Sequence, residues 1–153
     1  VHTMTPSIVR ADLSDPAHGE AILLLVESYA DEALPEEVRQ NMVPGMRALP
    51  TALVLLAYLD DEPAGIATCF WGYSTWRAKP LLNIHDLAVL PTFRGQGVGK
   101  ALLAEAERCA REAGACGLTL EVRAANEGAK RLYRAQGFGP WDDGKMLFLS
   151  KAL

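Results

Sequence analysis

Gly95, Gly97 and Gly99 stand at alternate positions immediately ahead of a long amphipathic run that ends at Gly114. A strand, a glycine-rich turn and a helix make an anion-binding arrangement, because the first N–H groups of a helix lack internal partners and its dipole puts partial positive charge there. Without Cβ atoms a phosphate can approach those amides, and glycine tolerates the positive φ of a tight cradle. A purely structural turn is the plainer alternative, but three glycines in five residues exceed what a turn needs. Two nucleotide loops can be tested by spacing. A Walker loop would need Gly at position 94 and Ser or Thr at 101, where the chain has Arg94 and Ala101. A dinucleotide loop begun at Gly95 would need Gly at 100 and meets Lys100; Glu121 stands where its ribose-binding acid would be, but no second βαβ half is evident.

Upstream, PLLNIHDLAVLP is apolar on both faces except at Asn83, His85 and Asp86, so it reads as a central strand whose polar groups need a reason. His85 is either a satisfied core histidine or a base. Tyr133 shares an apolar face with Ala129 and Leu132, which fits core packing or a phenol held for chemistry. Cys69, Cys109 and Cys116 are odd in number, lack metal-ligand spacing and sit in apolar patterns, so reduced core thiols and no metal are expected.

The elements that position these groups follow from periodicity. Ser7–Ala11 reads as a short strand, and Asp15 with Pro16 opens a helix carrying Ile22, Leu23, Val26 and Ala30. Leu34-Pro35 breaks it, and a second helix runs from Glu36 to about Leu49. TALVLLAYLDDEPAGIATCFWGYS predicts a hairpin turning near Asp60–Pro63. After the glycines, Leu102, Leu103, Ala106, Cys109, Ala110 and Ala113 form one apolar stripe. Leu118–Val122 is the next strand, Asn126 caps a helix through Gln136, and Phe138–Trp141 with Met146–Ser150 supply two last strands. The predicted order is βααβββαβαββ.

Length and composition fit one soluble domain over residues 1–153, without a signal peptide or a membrane-spanning run, and a cytoplasmic setting is expected. Val1, His2 and Thr3 precede Met4, fit either a cloning remnant or an alternative start, and carry no functional weight. Charge is uneven: 12 acids and 5 bases up to residue 92, then 7 acids and 10 bases. No Lys or Arg occurs from Ala11 to Val38. That distribution suits a second part that holds an anion and a first part that faces a cation, although taken alone the acids are better explained as a solvated helix face.

The spacing that does match is R-x-x-G-x-G, met by Arg94, Gly97 and Gly99. NIHDLAVLPTFRGQGVGKALL and LEVRAANEGAKRLYRAQGF, the latter with N-x-x-A-x-x-L-Y and GF in step, resemble the GNAT superfamily of N-acetyltransferases over residues 81–140. The resemblance implies an α/β GNAT-type fold, a mixed six- to seven-stranded sheet with helices on both faces, splayed between its fourth and fifth strands. It implies acetyl-CoA as acyl donor, with the amides of Gly95, Gln96, Gly97, Val98, Gly99 and Lys100 on the pyrophosphate and Arg94 opening the loop. Leu87, Ala88 and Val89 would pair with the pantetheine arm like an added strand. Asn126 would hydrogen-bond the cofactor, Tyr133 would face the thioester sulfur, and Lys100, Lys130, Arg131 and Arg134 would attract the adenosine phosphates. CFWGYSTWRAKPLLNIHDLAV further resembles the polyamine (diamine) acetyltransferase branch, with one departure: His85 stands where that branch has the first acid of a pair, and Asp86 is the second.

An alkyl amine, with a pKa of about 10, must lose a proton before it attacks a thioester, so a base is needed, and His85 and Asp86 are the groups available. Asp31 and Glu32 would rim the acceptor site, with Trp71, Tyr73 and Trp76 as walls. The resulting expectation is acetyl transfer to a primary amine of a small molecule by direct attack in a ternary complex, in a homodimer, with no nucleic acid or membrane as partner. Acetylation of a protein N-terminus or lysine, or CoA binding without turnover, are the alternatives.

Overall fold

The computed structural model describes residues 4–30 and 32–153. The chain forms two compact units, one ending at Glu121 and the other Val122–Leu153.

The first unit is a five-stranded sheet in the order β1-β2-β3-β4-β5, made of β1 (Ser7–Arg10), β2 (Ala52–Leu59), β3 (Glu62–Ser74), β4 (Lys79–Val89) and β5 (Gly117–Leu120). The first four pair antiparallel and β5 joins β4 in parallel. Asp60 and Asp61, at φ 51° and 61°, make the two-residue turn between β2 and β3; short polar side chains tolerate that left-handed geometry. Helix α1 (Pro16–Glu27) starts where Asp15 accepts from the Ala17 N–H at 2.9 Å. Helix α2 (Glu36–Arg47) follows, and Arg39 pairs with Glu27 to tie the two helices together.

Strand alternation sorts the core into two faces. Ala21, Ile22 and Leu25 of α1 and Met46 of α2 pack with Val54 and Leu56 of β2, Ile66 of β3 and Ala88 of β4. Helix α3 (Val98–Glu112) takes the opposite face: a Cβ on Gly65, the neighbour of Ile66, would lie 2.8 Å from Val98 Cγ1 and 3.1 Å from Leu102 Cδ1. Only glycine lets the first turn of α3 sit this close to β3. Gly114, at φ 73°, ends α3 as expected.

The second unit contains α4 (Glu127–Ala135), capped by Asn126 as expected and followed by Gly137 at φ 90°. The two closing strands expected from the sequence are not formed. Among the described residues the sheet has five strands rather than six or seven, a short 3-10 turn occupies Trp141–Gly144, and Met146–Ser150 carries no ladder. A strand needs an edge to pair with, and Leu147 and Leu149 stay 81% and 82% exposed. No helix among the described residues is long and apolar enough to cross a membrane.

Candidate functional site

After β4 the chain makes a 3-10 turn over Pro91–Phe93, and Gly95 and Gly97 then take φ 76° and 81°. Gly97 is the N-cap of α3 and no side chain caps that helix, so the orphan amides of its first turn are left for a ligand. A Cβ on Gly95 or Gly97 would meet nothing within 4 Å. These glycines therefore serve backbone sign, and the space beside them is open. The loop is braced from behind: Arg94 Nε donates to the Val89 carbonyl at 3.3 Å, and Gln96 Nε2 to that of Thr92 at 3.3 Å. Val98 and Gly99 are buried while Lys100 is exposed.

Leading into the loop, β4 loses one neighbour partway along. Its ladder with β5 runs from Leu81↔Gly117 to Ile84↔Leu120 and stops, while the ladder with β3 continues to Val89↔Gly65. Asn83 Nδ2 donates to Thr119 Oγ1 at 3.0 Å, which explains that polar residue in a central strand. Beyond it, Leu87, Ala88 and Val89 are paired on one side only among the described residues, leaving backbone groups open to an extended partner.

His85 stands at this divergence. The β3–β4 register passes from Cys69↔Ile84 to Thr68↔Asp86, so His85 is an extra residue, a β-bulge. A bulge breaks the alternation of side chains, and here both polar residues reach the same face. Asp86 Oδ2 accepts from the Thr68 hydroxyl at 3.0 Å, and the His85 ring lies edge-on to Phe70 at 5.8 Å. Thr68 and Phe70 are two residues apart on β3, hence on one face, which is that of Ile66 and α1. Tyr29 lies just past α1, and desolvation followed by the charge of Asp86 raises its phenol well above the usual range.

Several expectations change here. His85 is exposed and makes no side-chain hydrogen bond among the described residues, so it is not a satisfied core histidine. Trp71 pairs with buried Leu82 and alternates with Phe70, so it lies on the α3 face, away from Asp86. Tyr73 shares that parity and is 62% exposed, and Trp76 is 95% exposed on the β3–β4 turn. Phe70 is instead the aromatic residue whose ring meets His85. Asp31 lies outside the described residues, and Glu32 is exposed beyond α1. Among the acids of the first helices, Glu27 and Glu36 share Arg39.

In the second unit, Asn126 Oδ1 accepts from the Ala129 N–H at 3.1 Å, so its cap function leaves Nδ2 as the donor for other partners. Lys130 pairs with Glu127 at 2.7 Å. Tyr133 packs edge-on against Phe138 with ring centroids 5.9 Å apart. Burial raises its phenol above the ordinary value, so it holds its proton across the neutral range.

Tyr29, Thr68, Phe70 and Gly65 were not legible as site residues from motifs. The period-2 alternation from Ile66 through Thr68 to Phe70 contains part of the signal, but the inserted residue at 85 that selects this face for His85 and Asp86 has no sequence mark. No group of three or more His, Cys, Asp or Glu side chains suited to a metal ion occurs among the described residues.

Comparison with known proteins agrees with this geometry. A profile of the acetyltransferase (GNAT) family matches residues 20–138. Thialysine N-epsilon-acetyltransferase of Bos taurus is 33% identical over 129 residues, 76% of this chain and 75% of that protein. Streptothricin acetyltransferase of Streptomyces lavendulae is 42% identical over 79 residues, 52% of this chain but only 40% of the relative's length. Among solved structures, an aminoglycoside N-acetyltransferase in complex with CoA superposes with a TM-score of 0.80 at 18% identity, over 99% of this chain and 98% of its own. At that identity the likeness speaks for the fold. With its glycine loop, diverging fourth strand and family match over most of its length, the chain belongs to the acetyltransferase (GNAT) family.

Proposed function

We propose that this enzyme transfers an acetyl group from acetyl-CoA to a primary amine of a small molecule, by direct attack with both substrates bound, as a single domain that dimerises. The observation that carries the reading is the bulge at His85, which turns a histidine and a carboxylate to one face at the point where β4 loses its neighbour. Bovine and bacterial relatives named for thialysine and streptothricin acetylation support a small acceptor. His85, standing where the polyamine branch has the first acid of the pair, speaks for an acceptor presenting one ammonium group rather than a polyamine.

The open cradle at Gly95 and Gly97, the uncapped amides of α3 and the one-sided edge of β4 fit a pyrophosphate joined to an amide-bearing arm. CoA has that chemistry, and its acetyl thioester would supply an activated acyl carbon. The amides of Gly95–Lys100 would hold the pyrophosphate, and Leu87–Val89 would pair with the arm. Asp86, with the Thr68 hydroxyl already donating to Oδ2, keeps its remaining lone pairs for the acceptor's ammonium. His85, whose ring nitrogens have no side-chain hydrogen-bond partner among the described residues, is the group best suited to take the proton that the amine must lose. Tyr133 would hold a proton at Oη for the departing sulfur, its raised pKa keeping it protonated at neutral pH. Direct attack is favoured because burial pushes the Cys69 thiol up to about 12 and also raises Cys109, which leaves both poorly suited to carry an acetyl group.

Thiol release from acetyl-CoA over a panel of n-butylamine, L-lysine, spermidine, kanamycin and a free-N-terminal tripeptide tests this. Saturable turnover is expected with small amines, n-butylamine or L-lysine above spermidine. Turnover confined to the tripeptide would transfer the enzyme to peptide acetylation, and CoA binding without any turnover would make it a binding module.

A further inference from the structure

Asn83 stands on β4 two residues before His85 and is partly buried. Its Nδ2 reaches two oxygens of Thr119 on β5, the hydroxyl at 3.0 Å and the backbone carbonyl at 3.4 Å. A carbonyl oxygen only accepts, so the amide must turn its NH2 end to β5. The two ends of an amide diverge, and Oδ1 is thereby directed away from that strand. Oδ1 makes no hydrogen bond among the described residues and is not one of their buried polar atoms left without a partner, so water reaches it. An amide clamped at one end and open at the other presents an acceptor of fixed direction.

That acceptor shares a face with the groups that handle the amine. Asn83 lies directly opposite Phe70, and side chains opposite one another in a ladder stand on one face, about 5 Å apart. The Phe70 ring in turn meets His85 with centroids 5.8 Å apart, and Asp86 joins the same face through Thr68. Along the β3–β4 ladder the face therefore carries a free carbonyl oxygen, an apolar ring, and then the histidine and carboxylate.

We propose that Asn83 Oδ1 is a second point of attachment for the acceptor, taking a hydrogen bond from a neutral hydroxyl or amide N–H on an amine whose short alkyl chain crosses Phe70. Two strand residues span on the order of 6–7 Å, which separates donor and amine by about four or five carbons. A neutral amide oxygen brings no charge to meet a second ammonium, so the acceptor class is amino alcohols and amino amides. A plain alkylamine would take water from Oδ1 without replacing its hydrogen bond, and the site discriminates against it. This inference rests on the reading of His85 and Asp86 as the amine's site, and it adds what the far end of the acceptor carries.

Initial rates with acetyl-CoA over paired series, ω-amino alcohols of three to six carbons and n-alkylamines of the same lengths, test it. In the wild type the amino alcohol should have a kcat/KM about three- to tenfold above its alkylamine at four or five carbons, carried by KM, with the advantage shrinking at other lengths. Asn83→Leu should bring that ratio to about one. If Asn83 only clasps β4 to β5, the substitution would weaken both amines alike and preserve the ratio, which would overturn the proposal. Asn83→Asp lets the Thr119 hydroxyl donate to a carboxylate at the same place, so preference should pass from the amino alcohol to the diamine of equal length. Retained preference for the amino alcohol in that variant would also count against Oδ1 as the contact. The wild-type comparison stands whether or not either variant folds: alkylamines turned over as well as amino alcohols at every length remove this inference alone, whereas no turnover of any amine removes the parent reading and this one with it.

Discussion

His85 owes its exposure to one inserted residue in the β3–β4 ladder, and that origin separates its chemical role from a structural one. An imidazole can accept the amine's proton only when neutral, so kcat/KM should fall toward acid pH and His85→Gln should remove that limb. Because the side chain is exposed and makes no hydrogen bond among the described residues, the variant should melt within about 1 °C of wild type and bind CoA normally. Loss of stability with the acidic limb retained would return the proton to Asp86 or to water. Tyr133→Phe is the contrasting case. Its phenol is raised by burial, so the proton it holds is present throughout the neutral range, and its removal should slow turnover by about 10- to 100-fold with no change in the profile's shape there. The types and spacing of His85, Asp86 and Tyr133 were readable in the sequence; their surroundings were not. A motif marks Asp86, but only the fold brings Thr68 from eighteen residues away to its carboxylate.

At the scale of elements, the anion loop is held from two directions, by its own glycines and by the strand beneath α3. Gly97→Val should abolish the thermal shift given by CoA, because a branched side chain strains at φ 81° and intrudes on space that is otherwise open. Gly65→Ala should weaken CoA binding without touching it. The new methyl would lie 2.8 Å from Val98 Cγ1 and 3.0 Å from the Ala88 carbonyl, and displacing the first turn of α3 moves the amides that the loop presents. Overpacking of this kind costs about 1–3 kcal/mol. Calorimetry should therefore show both a lower melting temperature and weaker CoA binding for Gly65→Ala, whereas a loss of stability with unchanged CoA affinity would refute the link between β3 and the loop. The helix starts at Asp15 and Asn126 were legible because caps are local. Gly65 was not, since its need for a missing Cβ comes from a helix more than thirty residues later in the chain.

At the scale of the whole molecule, local pattern was least informative at the C-terminal end. KMLFLS has the composition of a strand, but composition does not supply an edge to pair with, and the described segment carries no ladder. Leu147, Phe148 and Leu149 are 81%, 75% and 82% exposed, three successive large apolar side chains turned largely to water. Single exposed leucines are ordinary; a run of this kind is what protein contacts cover. The proposed homodimer gives that run a use, since an unpaired apolar segment can gain both backbone hydrogen bonds and burial from a second copy. Sedimentation equilibrium should find a dimer at micromolar concentration, and the pair Leu147→Asp and Leu149→Asp should shift it to monomer. The glycine loop is braced within the first unit, by Arg94 on the Val89 carbonyl and Gln96 on that of Thr92, so the monomeric variant should keep its CoA-induced thermal shift. A wild type that sediments as a monomer at every concentration would leave the apolar run to close on its own chain. A variant that remains dimeric would move the interface to another surface.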